Sequence, residues 1–167
     1  MAMTDSPRLA VVAGSFDPVT CGHIDLFTRA QALFPRVVVA VLSNPAKQPL
    51  FTVEDRVAML REAVDEQGWA VEIDTFDGLL SDYVRRRGAS AIVRGLRTAG
   101  EFSYESPIAL MNRHLQSTCE TVFVVPGAGV THISSTLVRE IASLHGPVDG
   151  LVPAGVAARL AQRFARS

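Results

Sequence analysis

A short stretch near the start of the chain, GSFDPVTCGHID from Gly14 to Asp25, combines small, polar and titratable residues. The Asp-Pro pair predicts a rigid turn, and Gly14 allows a ligand close to the backbone because it has no side chain. His23 follows Gly22 at an expected helix start, where backbone N–H groups and the helix dipole favour an anion. We therefore predict a phosphate site with His23 and Ser15 as hydrogen-bond donors. The alternative is a turn whose histidine is simply exposed.

Positive charges near the predicted phosphate site are scattered along the chain. There is neither a Walker-type glycine-lysine loop nor a dinucleotide-binding glycine fingerprint. The candidate cations are Lys47, Arg94 and Arg97, each in a loop that follows a predicted strand. Arg94 comes directly after the apolar residues AIV, so its charge emerges at the sheet edge, where an anion is the expected partner. For the other two, a solvated surface charge is the simpler interpretation.

A second hydroxyl-rich loop, GAGVTHISST, ends in Ser134, Ser135 and Thr136 at another expected helix start. One hydroxyl would cap the helix. Three exceed what a cap needs, and a second phosphate site at this helix N-terminus would use the others. The pattern alone leaves both interpretations open.

The elements that must position these loops follow from the alternation of apolar runs with helical patterns. Five strands are predicted, at residues 9–14, 36–43, 69–76, 90–95 and 121–127. Thr52 is the expected N-cap of the second helix, with Asp55 at its third position. The order predicts an α/β fold, a doubly wound parallel five-stranded sheet with helices on both faces. The candidate loops then share one edge, because ligands bind beyond the carboxyl ends of such strands.

The composition fits one domain, which we place at residues 9–167, with residues 1–8 as a flexible tail. A net charge of −1 gives no electrostatic reason for nucleic acid or a membrane as partner, and no apolar run approaches a membrane span in length. Cys21 and Cys119 match no metal or disulfide spacing. Reduced thiols and a cytoplasmic location are therefore expected.

Five segments together resemble the bacterial phosphopantetheine adenylyltransferase family, within the nucleotidylyltransferase superfamily that carries an H/T-x-G-H motif. They are GSFDPVTCGHID, NPAK, RGLRTAGEFSYE, MNRHL and ISSTLVREI, and they span the chain after residue 8. The Gly-His element marks only the superfamily, whereas Thr20 with RGLR and ISST narrows the resemblance to this family.

The resemblance implies a Rossmann-like nucleotidylyltransferase fold and transfer of AMP from ATP to 4'-phosphopantetheine. The expected reaction is a direct in-line displacement that gives 3'-dephospho-coenzyme A and pyrophosphate. Mg²⁺, a homohexamer and feedback inhibition by coenzyme A are implied as well. The metal ligands stay open, because no carboxylate pair has suitable spacing and phosphates and water can hold Mg²⁺.

Roles for individual residues follow from the resemblance. His23 would stabilise the charge that grows on the ATP phosphates and is the catalytic candidate. Lys47, Leu80 and Arg94 would hold phosphopantetheine, and Ser15 would contact both substrates. The residues expected to meet ATP are Ser15, Phe16, His23, Gly95, Leu96, Arg97, Glu105, Val130, Thr131, His132, Ile133, Ser134, Ser135 and Thr136.

Some positions depart from the family pattern. Val130 and His132 stand where the family often has larger aromatic residues. Ser106-Pro107 interrupts a predicted helix at 101–116, and the proline predicts a kink or a helix start near Tyr104.

Two other functions are compatible with the motifs. The first is transfer of AMP or CMP to another phosphorylated acceptor. Lys47, Leu80 and Arg94 would distinguish this reaction from transfer to phosphopantetheine, because they would shape the acceptor site. The second is a nucleotide-binding regulatory protein without catalysis, which the presence of His23 argues against.

Overall fold

The computed structural model describes residues 8–43 and 48–165 of the chain. The predicted tail, apart from Arg8, and Lys47 lie outside the described residues. In chain order the elements are β1 (Leu9–Gly14), α1 (Cys21–Leu33), β2 (Arg36–Leu42), α2 (Val53–Glu66), β3 (Glu72–Phe76), α3 (Leu80–Arg87), β4 (Ala91–Gly95), α4 (Ala99–Leu115), β5 (Glu120–Val124), α5 (Ser135–Ser143) and α6 (Ala154–Ala165).

The five strands form one parallel sheet in the order β3-β2-β1-β4-β5. In the register of the central strands, Val12 pairs with Val39 and Ala10 with Ala91. From β1 the chain adds β2 and β3 on one side of the sheet. It then returns and adds β4 and β5 on the other side of β1. The prediction of a doubly wound parallel sheet is confirmed, and its switch point lies between β1 and β4.

Alternation along the strands divides the core into two layers, because successive side chains point to opposite faces of a sheet. Ala10, Val12 and Val39 face a layer that includes Phe27 of α1 and Leu60 of α2, and α5 and α6 pack in the same layer. The opposite set, from Leu9 to Ile92, packs against Tyr83 and Val84 of α3. Helices therefore cover both faces. None of the described helices has the length and apolar character needed to cross a membrane.

The ends of several elements differ from the sequence prediction. The second helix agrees, since the Thr52 hydroxyl accepts from the Asp55 N–H at 3.1 Å. A helix start near Tyr104 is wrong: α4 begins at Ala99, where the Thr98 hydroxyl caps it, and it continues through Pro107. Pro107 is exposed, so the backbone carbonyl that loses its helical partner there can be solvated.

Candidate active site

A cavity of about 680 Å³ opens at the carboxyl ends of β1 and β4, the switch point of the sheet. This is the edge at which the sequence places the candidate loops. The residues that line it are Ala13, Gly14, Ser15, Phe16, Thr20, Gly22, His23, Asp25, Leu26, Arg29, Arg94, Gly95, Arg97, Thr98, Gly100, Glu101, Tyr104, Glu105, Val124, Pro126, Val130, Ile133, Ser134 and Ser135.

The loop after β1 turns sharply at Phe16, whose φ of 48° lies in the left-handed region, and the peptide between Asp17 and Pro18 is cis. A Cβ on Gly14 would lie 3.1 Å from the Phe16 ring. A side chain at this position would therefore meet Phe16, and Gly14 itself lines the cavity, so close approach of a ligand to its backbone stays a prediction.

His23 sits in the first turn of α1 as part of a capping box with Thr20. Its Nδ1 accepts a hydrogen bond from the Thr20 backbone N–H at 3.0 Å. Because a donor faces Nδ1, the neutral imidazole carries its proton on Nε2. The ring also packs edge-on against Phe16, with 5.0 Å between ring centroids. The structure thus fixes His23 as an Nε2–H donor at the cavity wall.

The protonation state of His23 follows from its surroundings. Burial, together with the positive charges of Arg97 and Arg94, lowers the pKa of His23 from 6.5 to about 4. The imidazole is therefore neutral at physiological pH. It contributes a dipolar donor to the site and no charge.

The amides at the start of α1 are less available to an anion than the sequence implies. The Cys21 N–H donates to the Leu151 carbonyl at 2.9 Å, and the His23 N–H is capped by Thr20. Side chains must therefore supply much of any phosphate recognition at this position.

Arg94 stands at the end of β4 and is held by three groups. Its Nε and Nη2 donate to the two carboxylate oxygens of Glu105 at 3.0 and 2.6 Å, and Nη1 donates to the Ala13 carbonyl at 2.9 Å. Arg94 and Glu105 were each expected to contact a substrate. In this structure they form a bidentate ion pair with each other.

Arg97 is engaged in a similar way by Glu101 on α4. Its Nε donates to the Glu101 carboxylate at 2.9 Å, its backbone N–H donates to the same carboxylate at 2.6 Å, and Nη1 reaches the Ile133 carbonyl at 3.0 Å. Burial acts to raise the pKa of Glu101, but these bonds from Arg97 outweigh it and the pKa is lowered. Arg97 therefore joins the loop after β4 to the loop before α5.

A third pair, Asp25 with Arg29, was missed by sequence reasoning. Asp25 accepts from Arg29 Nε at 2.7 Å and from the Gly127 N–H at 3.0 Å. The hydrogen bond from Arg29 is the main cause that lowers the pKa of Asp25. A Cβ on Gly127 would lie 3.2 Å from the Asp25 carboxylate, so a glycine suits this contact. The sequence does contain a signal for this pair. Asp25 and Arg29 lie three and seven residues after Gly22, and this spacing places all three residues on the same face of α1.

The hydroxyls of Ser134 and Ser135, at the start of α5, make different hydrogen bonds. Ser134 caps α5 by accepting from the Leu137 N–H at 3.2 Å, so the capping interpretation is confirmed for one hydroxyl. The Ser135 hydroxyl donates to the Pro18 carbonyl at 2.8 Å, which ties this loop to the one after β1. Both serines line the cavity, whereas Thr136 does not.

Other predicted residues lie around the cavity or away from it. Phe16, Gly95, Val130 and Ile133 line it, and Leu96, Thr131 and His132 stand in the same loops without lining it. Leu80, at the start of α3, packs against the core layer beneath that helix and is also outside the lining.

No group of three or more metal-ligating side chains occurs within residues 8–43 and 48–165. Three carboxylates line the cavity, Asp25, Glu101 and Glu105, and an arginine engages each of them. These residues do not fit a dedicated magnesium site.

Residues 11–141 match the family model for cytidylyltransferase-like proteins, the class that the fold and the site define. The chain is 43% identical over 159 residues to the phosphopantetheine adenylyltransferase of Geotalea daltonii, with 95% of this chain and 98% of the relative covered. It is 48% identical over 158 residues to the enzyme of the same name from Symbiobacterium thermophilum, covering 95% and 97%. The chain belongs to the phosphopantetheine adenylyltransferase family.

Solved structures agree in fold. A bifunctional NMN adenylyltransferase/ADP ribose pyrophosphatase from Francisella tularensis superposes with a TM-score of 0.73 at 16% sequence identity. The match covers 97% of this chain and 51% of that one. At this identity the likeness supports the fold alone.

Proposed function

We propose that this chain transfers the adenylyl group of ATP to 4'-phosphopantetheine, giving 3'-dephospho-coenzyme A and pyrophosphate in coenzyme A biosynthesis. The observation that carries the proposal is the convergence of phosphate-binding groups at one switch-point cavity. These groups are the His23 donor, Arg94 at the end of β4, Arg97 in the loop that follows, and Ser134 and Ser135 at the start of α5. These are the groups that two phosphorylated substrates require side by side.

The reaction is an in-line displacement. An oxygen of the acceptor phosphate forms a bond to the α-phosphorus of ATP while the bond to the bridging oxygen breaks, and pyrophosphate leaves with the electron pair. No enzyme nucleophile is needed, so the protein contributes positioning and charge stabilisation. The neutral His23 suits this task, because its Nε2–H donates to a phosphate oxygen whose negative charge grows in the transition state.

The acceptor phosphate is proposed to bind Arg94 and Lys47, with Leu80 along the pantetheine arm. Arg94 is preorganised for this, since Glu105 and the Ala13 carbonyl hold its guanidinium plane at the end of β4. An incoming phosphate takes over hydrogen bonds that Glu105 accepts in this structure. Glu105 is then free to meet ATP or the pantetheine arm.

The nucleotide is proposed to lie between the loop Gly95–Arg97 and the loop from Val130 to Thr136. Arg97 already bridges these loops through the Ile133 carbonyl. The Pro18 carbonyl holds the Ser135 hydroxyl beside the loop after β1, and Ser134 and Ser135 both line the cavity, which favours a role for them at the phosphates. Val130 offers a small apolar surface where the family often has an aromatic ring.

Mg²⁺ is proposed to arrive with ATP. Because every lining carboxylate is paired with an arginine, the phosphates and water are the ligands that we expect for it. The chain's own residues are then responsible for orienting the two substrates.

A homohexamer in the cytoplasm is proposed from the resemblance, with coenzyme A as a feedback inhibitor that uses the same cavity. The surface of α4 supports an assembly. Tyr104, Ile108, Met111 and Leu115 recur at helical spacing and are between 41% and 72% exposed. An apolar stripe of this kind is typical of an interface.

The proposal is tested by incubating the purified protein with ATP, Mg²⁺ and 4'-phosphopantetheine, and following pyrophosphate and 3'-dephospho-coenzyme A. Parallel reactions contain CTP in place of ATP, or nicotinamide mononucleotide, nicotinate mononucleotide or glycerol 3-phosphate as acceptor. Product with phosphopantetheine and ATP supports the proposal. Pyrophosphate release with another acceptor only would overturn it.

A further inference from the structure

Buried polar side chains concentrate at the loop after β1. Within the described residues, four polar or charged residues are buried, namely Asp17, Thr20, Arg56 and Ser81. Thr20 belongs to the capping box of His23. Asp17 and Arg56 carry charges, and neither lines the cavity. A buried charge is costly unless the structure uses it, so both need an explanation.

Arg56, on α2, is 3% exposed and binds backbone carbonyls. Its Nη1 donates to the Ser15 carbonyl at 2.7 Å and to the Leu42 carbonyl at 3.2 Å, and Nε donates to the Thr52 carbonyl at 3.3 Å. Among the described residues no carboxylate forms a salt bridge with it. Its guanidinium fork thus joins the chain after β1 to the end of β2 and the start of α2.

Asp17 is the second charged contact, on the other side of Phe16. Its carboxylate accepts from the Leu50 N–H at 2.8 Å and the Phe51 N–H at 3.0 Å, and lies 3.4 Å from Arg139 Nη1 on α5. The Asp17 carboxylate therefore links the loop after β1 to the segment before α2 and to α5.

Phe16 lies between these two contacts, in the left-handed conformation that a bulky residue rarely adopts. Arg56 holds the carbonyl of the preceding residue, and Asp17 anchors the following one. The Phe16 ring is the wall against which His23 packs. A loss of either contact would release the backbone at Phe16 and, through it, the imidazole.

We propose that Arg56 and Asp17 are positioning residues that clamp the loop around Phe16 and so keep His23 aligned with the reacting phosphates. The inference rests on the adenylyl transfer proposed above. Neither residue touches substrate; each acts through the backbone of residues 15–17. The clamp stabilises the transition state more than the bound substrates, because misalignment of His23 affects developing charge most.

The test uses the full chain with Arg56→Met, Asp17→Asn and the double substitution. We expect kcat to fall roughly 10- to 100-fold in each single variant, with KM for ATP changed less than about threefold. The loss in the double variant should be smaller than the product of the single losses, because both act on one loop. Amide hydrogen exchange over residues 14–20 should become faster in all three.

Matched controls come from the far edge of the sheet, where Arg87 pairs with the partly buried Asp74. Arg87→Met and Asp74→Asn remove similar groups far from the cavity, and we expect kcat within about twofold of the parent. If Arg56→Met does not fold, Arg56→Lys replaces it, because lysine keeps the charge but lacks the guanidinium fork. If Asp17→Asn does not fold, Arg139→Met replaces it. That side chain is 37% exposed, and its removal should shift kcat in the same direction by a smaller factor.

The clamp is overturned if the folded variants keep kcat, if KM alone rises, or if the controls lose kcat equally. Hydrogen exchange separates this inference from the proposed function, because it needs no substrate. If the parent protein transfers adenylyl groups to no acceptor, the proposed function fails. Hydrogen exchange then decides the clamp alone. Faster exchange over residues 14–20 in the Arg56 and Asp17 variants supports it, and unchanged exchange overturns it.

Discussion

His23 is restrained from more than one direction, and the restraints decide its chemistry. The Thr20 N–H faces Nδ1, the Phe16 ring packs against the imidazole, and two arginines lie near enough to disfavour a positive charge. A cationic imidazole would bind the phosphates of ground-state ATP strongly. A neutral donor instead favours interactions that strengthen as charge develops.

The first prediction concerns the titration of His23. Its ring resonances, followed by NMR from pH 3 to pH 8, should report a pKa near 4. Because this is below the unfolded value of 6.5, the neutral ring stabilises the fold fully above about pH 6.5, and that contribution is lost as the pH falls towards 4. A bound triphosphate should raise the pKa. A ring that titrates near 6.5 in the free protein would contradict this environment.

Replacement of His23 tests its role in catalysis. His23→Ala should lower kcat about 10²- to 10³-fold with a small change in ATP affinity, because it removes a donor that acts mainly in the transition state. Steady-state kinetics and ATP titration measure the two quantities separately. His114→Ala, an exposed histidine at the end of α4, serves as the control. Equal losses of ATP binding and turnover would make His23 a ground-state ligand.

At this scale the sequence identified types of residue better than their partners. His23 and Arg94 were predicted to lie at one sheet edge because each follows an apolar strand, and both line the cavity. Glu105 as the partner of Arg94, or Gly127 as the partner of Asp25, could not be predicted. Those contacts depend on how α4 and the loop after β5 pack, and no local pattern encodes that packing.

At the level of secondary structure, Thr20 at the start of α1 both caps the helix and orients His23. The Thr20 hydroxyl caps the helix, while the Thr20 backbone N–H orients His23. Thr20→Ala should lower the free energy of unfolding by about 1 kcal/mol through the lost cap. It should also lower kcat, since the turn that carries the N–H is less rigid. Chemical denaturation and kinetics check the two effects, and unchanged turnover would separate the cap from catalysis.

The sequence predicts an element well where a pattern extends over many residues, and less well where one residue, such as a proline, is the main signal. The Val-rich strands β1 and β2 and the Thr52 cap are as expected. For α4, Pro107 predicts a kink or a helix start near Tyr104, whereas the capping Thr98 sets the helix start. Proline costs helix stability, but seventeen residues with a cap and an exposed proline position absorb that cost.

For the whole molecule, the apolar stripe on α4 predicts assembly. Ile108→Glu, in the middle of the stripe, should shift the protein to smaller species in light scattering, because a charge at an apolar interface is unfavourable. Leu144→Glu is the control, since Leu144 is 76% exposed and lies at the end of α5. A monomeric parent protein, or no change in mass for Ile108→Glu, would rule out α4 as the interface.

The three ion pairs around the cavity have a kinetic consequence. The charged side chains that line it are three arginines and three carboxylates, so the described walls carry no net charge. Such a site exerts little long-range attraction on a polyanion, and the arginines act only once a phosphate is close enough to replace a carboxylate. The rate of ATP association should therefore be well below the diffusion limit and depend weakly on ionic strength, as stopped-flow measurements would report.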